Sequence, residues 1–405
     1  MIELLSPAGS MASLKAALHF GADAVYGGMK HYGLRAFAGN FDDRELQAAV
    51  ALSHAAGKKF YLTMNIFPFD DQLPGFLEAA RLAREIGVDA VIAGDLGAIV
   101  QLREALPDLP VHVSTQASSV NAPTVLHYAA LGCERVILAR EMSLERIRAL
   151  AQAVGDRIQL ETFVHGASCV SWSGRCLLSA VMTGRSGNQG ACAQPCRWQY
   201  HVVEEKRPGE YWPVTEDENG TYIFSAKDLN LMPLLPQLAA SGISSLKIEG
   251  RMKTEYYVAT VTGTYRRALD QLDAGFSEKL PGWMAELECA SHRDSDTGFL
   301  LGNPGQPAGA EGFHQSREYI ALCTRGAKAG EEATFQLKNR FHAGDTLELL
   351  TPRGSFPFTA GSLLREKTGE RLDTLGIGGE SIRLAVPYPT EEGDILRGPN
   401  RNHRT

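Results

Sequence analysis

Short apolar runs alternate with amphipathic helical stretches over the first two-thirds of the chain. The runs are Leu4-Leu5, Ala24-Val25-Tyr26, Phe60-Tyr61-Leu62-Thr63-Met64, Ala90-Val91-Ile92, Val111-His112-Val113, Val136-Ile137-Leu138, Leu160-Glu161-Thr162-Phe163-Val164 and Leu246-Lys247-Ile248. Each is short, most are rich in β-branched or aromatic residues, and a helical pattern commonly follows. That predicts parallel strands joined by right-handed crossovers. Eight strands match a (β/α)8 TIM-like barrel in the α/β class, with a doubly wound open sheet as the alternative. Polarity favours the barrel. Small, polar or glycine residues gather just after the runs, as in Gly27-Gly28, Asn65, Ser114-Thr115-Gln116, His165-Gly166 and Glu249-Gly250, and that C-terminal rim is where barrel active sites assemble. The opposite turns are led by Gly21, Gly87 and Gly132, as where a helix ends and the chain re-enters a strand.

Two departures interrupt this rhythm. A long insertion, 167–222, separates the seventh run from the eighth, and a loop of that length inside a compact domain is usually functional. Beyond Gly302-Asn303-Pro304-Gly305-Gln306-Pro307, which reads as a linker, the helical pattern stops. Tyr319–Leu322, Ala333–Leu337, Asp345–Leu349 and Ser381–Leu384 are strand-like and separated by glycine turns, which predicts a small antiparallel β-barrel or sandwich. The organisation expected is a barrel over 1–275, a connecting segment over 276–310 and a β-domain over 311–405. The tail from Arg397 to Thr405 reads as loose and solvated, with its arginines and His403 as possible RNA contacts.

Composition narrows the class. With 405 residues, 44% hydrophobic and 8% aromatic, the chain has too much apolar material for disorder and is long enough for one barrel of roughly 250 residues plus an accessory domain. A formal charge of -7 argues against broad electrostatic binding of nucleic acid, so an RNA partner needs a local basic patch. The first residues show no basic leader or cleavage site, and no apolar run is long enough to cross a bilayer. The expectation is a cytoplasmic protein with no membrane contact.

Cysteine placement supplies the first chemical signal. Four of the seven cysteines, Cys169, Cys176, Cys192 and Cys196, fall in the insertion. Disulfides are rare in the cytosol, which leaves metal or redox chemistry. Soft sulfur ligands suit zinc or iron with sulfide. The wide first spacing tilts the reading towards a four-iron four-sulfur (4Fe-4S) cluster, because structural zinc more often uses two short knuckles. Cys133, Cys289 and Cys323 read as core residues. Arg175, Arg185 and Arg197 are interleaved with Trp172, Trp198 and Tyr200, a mixture suited to phosphate pairing and base stacking or to packing the insertion onto the barrel. Arg251 and Lys253 follow the eighth strand, a common anion position in barrels. Glu161 and His165 could act as acid or base, or be satisfied core or rim residues. No zinc-protease helix motif, nucleophile elbow, phosphate-binding loop or dinucleotide fingerprint is present.

The run Glu161-Thr-Phe-Val-His-Gly-Ala-Ser-Cys169-Val-Ser-Trp-Ser-Gly-Arg-Cys176-Leu-Leu-Ser179 resembles the signature of the collagenase-like peptidase family. Leu5-Ser-Pro-Ala-Gly9, Tyr26-Gly-Gly28, Leu34-Arg35, Ser225-Ala-Lys-Asp-Leu229 and Leu246-Lys-Ile-Glu-Gly-Arg251 extend the likeness over nearly the whole chain. Arg207-Pro-Gly-Glu-Tyr211 and Glu216-Asp-Glu-Asn-Gly220 resemble its tRNA-hydroxylation branch. The resemblance implies prephenate-dependent 5-hydroxylation of the tRNA wobble uridine, with tRNA and a small anionic co-substrate as partners. It also implies an iron-sulfur cluster on Cys169, Cys176, Cys192 and Cys196, with Arg175, Arg197 and Arg251 holding anionic groups. Two other readings stand beside it: a metal-dependent collagenase-like peptidase using Glu161 and His165, and a zinc-stapled RNA-binding scaffold.

Overall fold

A computed structural model describes residues 2–33, 39–169, 173, 176, 178–185, 187, 190–195, 202–203, 211–212, 215–217, 220–222, 227–272, 275–302, 313–372, 374–375 and 378–400. The chain forms two compact units. One comprises Met1–Leu14, Ala22–Lys253 and His292–Phe313, and the other Lys15–Gly21, Thr254–Ser291 and His314–Thr405.

In the first unit the eight apolar runs become β1 (Glu3–Pro7), β2 (Ala24–Gly28), β3 (Lys59–Met64), β4 (Ala90–Ala93), β5 (Val111–Val113), β6 (Arg135–Ile137), β7 (Gln159–Ala167) and β8 (Ser245–Ile248). All pair in parallel and in order, and β8 closes the ring on both β1 and β7, with Ser245 opposite Glu3 on one side and Glu161 on the other. The barrel expectation therefore holds, and the open sheet is excluded. Helices α1 (Met11–His19), α2 (Asp43–Ala55), α3 (Leu73–Ile86), α4 (Leu96–Ala105), α5 (Ala122–Ala130) and α6 (Leu144–Val154) follow β1 to β6. Side-chain caps fix several of their starts. Asp42 and Glu45 form a reciprocal capping box on α2, and Asp95, Asn121 and Ser143 cap α4, α5 and α6, satisfying backbone N–H groups that a helix start leaves open. The glycine-led turns take left-handed backbone at Gly87 (φ 92°) and Gly132 (φ 82°).

Strand alternation splits the core in two. Leu4, Val25, Phe60, Leu62, Val91, Val111, Val113, Val136, Leu160 and Leu246 are buried on one face. Residues of opposite parity point into the barrel. There, where packed branched aliphatics are the rule, this chain places Glu3, Tyr61, His112, Arg135, Glu161 and Lys247.

In the second unit, β9 (Arg317–Arg325), β10 (Glu332–Leu337), β11 (Thr346–Thr351), β12 (Gly354–Thr359), β13 (Leu363–Arg365), β14 (Arg371–Leu372), β15 (Ser381–Ala385) and β16 (Ile395–Pro399) form an antiparallel sheet. Their order is β12-β11-β16-β9-β10-β15-β13-β14. Ile320, Phe335, Phe341, Leu349, Ile382, Leu384 and Leu396 build its core. Helices α8 (Glu255–Leu269) and α9 (Phe276–Leu287) belong to this unit, so the segment 276–310 is divided between the two units. One expectation is corrected. Arg397 lies in β16, buried and bonded to Glu286 (2.6 and 2.9 Å) and Glu348 (2.8 Å). Two half-buried carboxylate partners give the start of the tail a structural role. Residues 401–405 lie outside the described residues.

Candidate active site at the barrel mouth

The residues that end the barrel strands converge on a cavity of about 70 Å³. Tyr26, Ile92, Ile137 and Phe163 supply its apolar wall. Thr63, Asn65, Ser114, Thr115 and Gln116 are its neutral polar groups, and Arg140, Lys247, Glu249 and Arg251 its charged ones. Three cations thus face one carboxylate, which favours an anionic guest with an apolar body.

Arg251 explains why three sequence motifs share one place. Its guanidinium donates to Thr63 Oγ1 (2.6 Å) and to Asn40 Oδ1. A β-carbon on Gly28 would lie 2.5 Å from Arg251 Nη2, and one on Gly9 would lie 1.8 Å from the Arg251 carbonyl oxygen. Gly9 and Gly28 are therefore glycines because Arg251 lies against them. Arg140 is held comparably. It donates to the Ala167 carbonyl (2.6 Å), pairs with Glu249 at 3.6 Å and lies 3.9 Å over the Phe163 ring.

Beneath the cavity runs a buried ionic chain. Arg135 donates to Glu3 (2.5 Å), Gln159 (2.7 Å) and Glu161 (3.0 Å), and Lys247 Nζ donates to the other oxygen of Glu161 (3.0 Å). Tyr61 donates to Glu3 at 2.8 Å. Glu161 is fully buried. Desolvation pushes its carboxyl up, but Lys247 and Arg135 together hold it below the usual carboxylate range. Burial pushes Lys247 down against the opposing pull of Glu161. His165, also buried, is pushed down to about 3 by desolvation despite Asp228, so its imidazole is neutral and weakly basic. Burial first, then Arg135 and Lys247, push His112 far down as well. Glu161 and His165 lie outside the cavity lining.

The cysteine-rich insertion starts at the same rim, because Cys169 follows the end of β7. Its first loop is clamped at Ser173, whose N–H and hydroxyl donate to Glu141 (2.9 and 3.1 Å) and whose carbonyl accepts from Ser118 Oγ. Helix α7 (Leu178–Thr183) begins two residues after Cys176. Ser179 Oγ donates to the Arg185 carbonyl (2.6 Å) and accepts from the Ala193 N–H (3.0 Å), holding the Cys192 segment against the start of α7. Cys192 Sγ accepts an N–H from Gln194 at 3.4 Å, a bond that suits a thiolate ligand. Cys169 is exposed and Cys176 and Cys192 are half-buried, whereas Cys133, Cys289 and Cys323 are buried. Among the described residues no three His, Cys, Asp or Glu side chains are gathered closely enough to hold an ion. Cys196, Arg175, Arg197, Trp172, Trp198 and Tyr200 lie outside the described residues. Arg185 is exposed on the insertion, and Lys253 lies 5.2 Å over the Phe313 ring. Sequence reasoning missed Arg140, Lys247, Glu3 and Arg135. For Glu3, Arg135 and Lys247 the available signal was a charge within an otherwise apolar strand, whereas Arg140 follows β6.

The model described as "Peptidase family U32" matches residues 9–309, and that of its C-terminal domain matches 315–397. An Escherichia coli protein named tRNA hydroxylation protein P is 37% identical, over 96% of this chain and 94% of its own. An E. coli 23S rRNA 5-hydroxycytidine C2501 synthase is 33% identical, over 91% of this chain and 55% of its own. A Porphyromonas gingivalis protein named collagenase is 30% identical, over 95% and 94%.

Proposed function

The chain belongs to peptidase family U32, and from that premise we propose that it is an RNA-modifying enzyme that hydroxylates C5 of the tRNA wobble uridine. The names of the two hydroxylation relatives support RNA as the substrate. The observation that carries the reading is the cation-rich cavity at the barrel mouth, with the cysteine loop clamped to the same rim. The cavity opens at the barrel mouth and takes a carboxylate end of the small anionic co-substrate, prephenate. Arg140 and Arg251 pair with its carboxylates through charge-assisted bonds of about 1.5–3 kcal/mol each, and Tyr26 and Phe163 flank its ring. Cys169, Cys176, Cys192 and Cys196 would hold a 4Fe-4S cluster, which supplies one-electron chemistry when bound. Soft sulfur donors and the N–H on Cys192 Sγ suit that group and zinc alike, and the wide spacing of Cys169 and Cys176 is what favours the cluster. Ser173 and Ser179 fix the loop segments that carry the cysteines.

The collagenase name of one relative gains less from the site. Peptide hydrolysis through Glu161 would need its carboxylate to reach a peptide bond held at the barrel mouth. Here it is fully buried and lies outside the cavity lining. The test is nucleoside mass spectrometry of tRNA from a strain lacking this chain, complemented with wild type or with Arg140→Met. Loss of 5-oxyuridine derivatives, restored only by wild type, is expected. Unchanged derivatives in the deletion strain, with no redundant pathway present, refute the function. Iron and acid-labile sulfide after anaerobic purification test the cluster, and stoichiometric zinc instead would overturn it.

A further inference from the structure

Lys247 sits where one amine is both a buried counter-ion and in reach of the cavity. Its side chain is 5% exposed, yet it lines the cavity. Nζ makes one hydrogen bond among the described residues, to Glu161 Oε1 at 3.0 Å. It also lies 4.3 Å from the centroid of the Tyr26 ring and 5.6 Å from that of Phe163. Tyr26 is itself fixed by donating its hydroxyl to the Ile248 carbonyl at 2.8 Å. The ammonium therefore has a proton acceptor on one side, aromatic faces beside it and the cavity within reach. Arg140 and Arg251 line that same space. An anionic guest held by its carboxylate presents the neighbouring carbon to the amine.

We infer that Lys247 binds an α-keto acid covalently, as a reversible iminium between Nζ and the keto carbon. This rests on the reading of the cavity as the small-anion site. The ammonium passes one proton to Glu161, and the neutral amine attacks the carbonyl to give a carbinolamine. The proton returns from Glu161 by way of the Lys247 nitrogen to the departing oxygen, the C–O bond breaks, and water leaves as the C=N⁺ bond forms. No electrons enter or leave the pair. Removing a charged amine from water shifts its balance towards the neutral nucleophile, and Glu161 within hydrogen-bond reach provides the proton path. In the iminium the positive charge stays beside Glu161, so the buried charge balance is kept. A counter-ion role alone does not require Lys247 to line the cavity.

Full-length protein, incubated with phenylpyruvate and sodium cyanoborohydride and then digested, tests this by peptide mass spectrometry. The expected result is one reduced keto acid per chain, on the peptide containing Lys247, suppressed by excess succinate, which carries carboxylates but no ketone. Lys247→Arg keeps the charge without an attackable amine, and it should fold yet give no adduct. No adduct, or adducts confined to exposed lysines such as Lys59, overturns the inference, and this readout on wild type does not depend on any variant folding. The result is also separable from the proposed function. Trapping without loss of tRNA hydroxylation in the deletion strain would leave the covalent site standing, and hydroxylation without trapping would leave the function standing.

Discussion

Replacing Glu161 by Gln removes the charge that holds two buried cations. Its two oxygens engage Lys247 and Arg135, each at 3.0 Å, but the two losses are unequal. Arg135 keeps Glu3 at 2.5 Å and Gln159 at 2.7 Å, whereas Lys247 keeps no carboxylate hydrogen bond. Breaking a buried pair from one side costs about 3–5 kcal/mol. At about 1.4 kcal/mol per decade that corresponds to hydrogen exchange roughly 10²–10⁴-fold faster for the most protected amides of β6, β7 and β8. Exchange followed by mass spectrometry suits a chain of two units, because it reports the barrel by itself. Breaking the half-exposed Arg84–Asp108 pair (2.7 Å) with Arg84→Ala should change exchange by no more than about fivefold. Adding Lys247→Met to Glu161→Gln removes the stranded charge and should restore most of the protection, whereas Arg135→Met should restore little. Glu161→Gln exchange within tenfold of wild type, or equal rescue by both second substitutions, would refute the reasoning.

Three further outcomes follow from the same geometry. His165 has its folded pKa at about 3 against about 6.5 unfolded. Between those values the unfolded chain binds the extra proton, so barrel stability is complete above pH 6.5 and falls by roughly 1.4 kcal/mol per pH unit below it, or about 2 kcal/mol at pH 5; His165→Asn should flatten the exchange-versus-pH profile, and an unchanged slope counts against the assignment. Gly9→Ala drives a β-carbon into the Arg251 carbonyl at 1.8 Å, whereas Gly57→Ala, at φ 68°, meets nothing within 4 Å; thermal unfolding should show a loss of about 1–2 kcal/mol for Gly57 and a larger one for Gly9, and the reverse order would count against the crowding argument. Ser179→Ala removes both bonds that draw the Cys192 segment in, and iron retained after anaerobic purification should fall while barrel exchange stays unchanged; full iron occupancy would show the staple to be dispensable.

The barrel was legible because each strand pairs a short apolar run with a polar rim, a pattern that survives without knowledge of contacts. Its interior was less so. Arg135 precedes its apolar run and Lys247 interrupts one, and only closure of β8 onto β7 and β1 reveals that such charges face one another. Arg251 was picked out by its position after β8, but the reason for Gly9 and Gly28 needs Arg251 in place. In the β-domain, β12 went unread because Pro357 interrupts it, and an edge strand tolerates proline since one side of its backbone needs no donor. β16 went unread because Arg397, Gly398 and Pro399 look like a loop until Glu286 and Glu348 bury the arginine.

Closure between Glu3 and Ser245, 242 residues apart, also sets a timetable. At roughly 5–20 residues per second, β1 and β7 cannot gain β8 until about 12–50 s after β1 emerges, and the insertion 167–222 takes up roughly a quarter of that interval. For that time the nascent chain presents two strand edges, each a template for pairing with another chain. Glu3 and Glu161, which later balance Arg135 and Lys247, stand on the two waiting strands. Inward-pointing charge is one way natural sheets discourage edge-to-edge association, so the carboxylates protect the unfinished barrel before they neutralise the finished one.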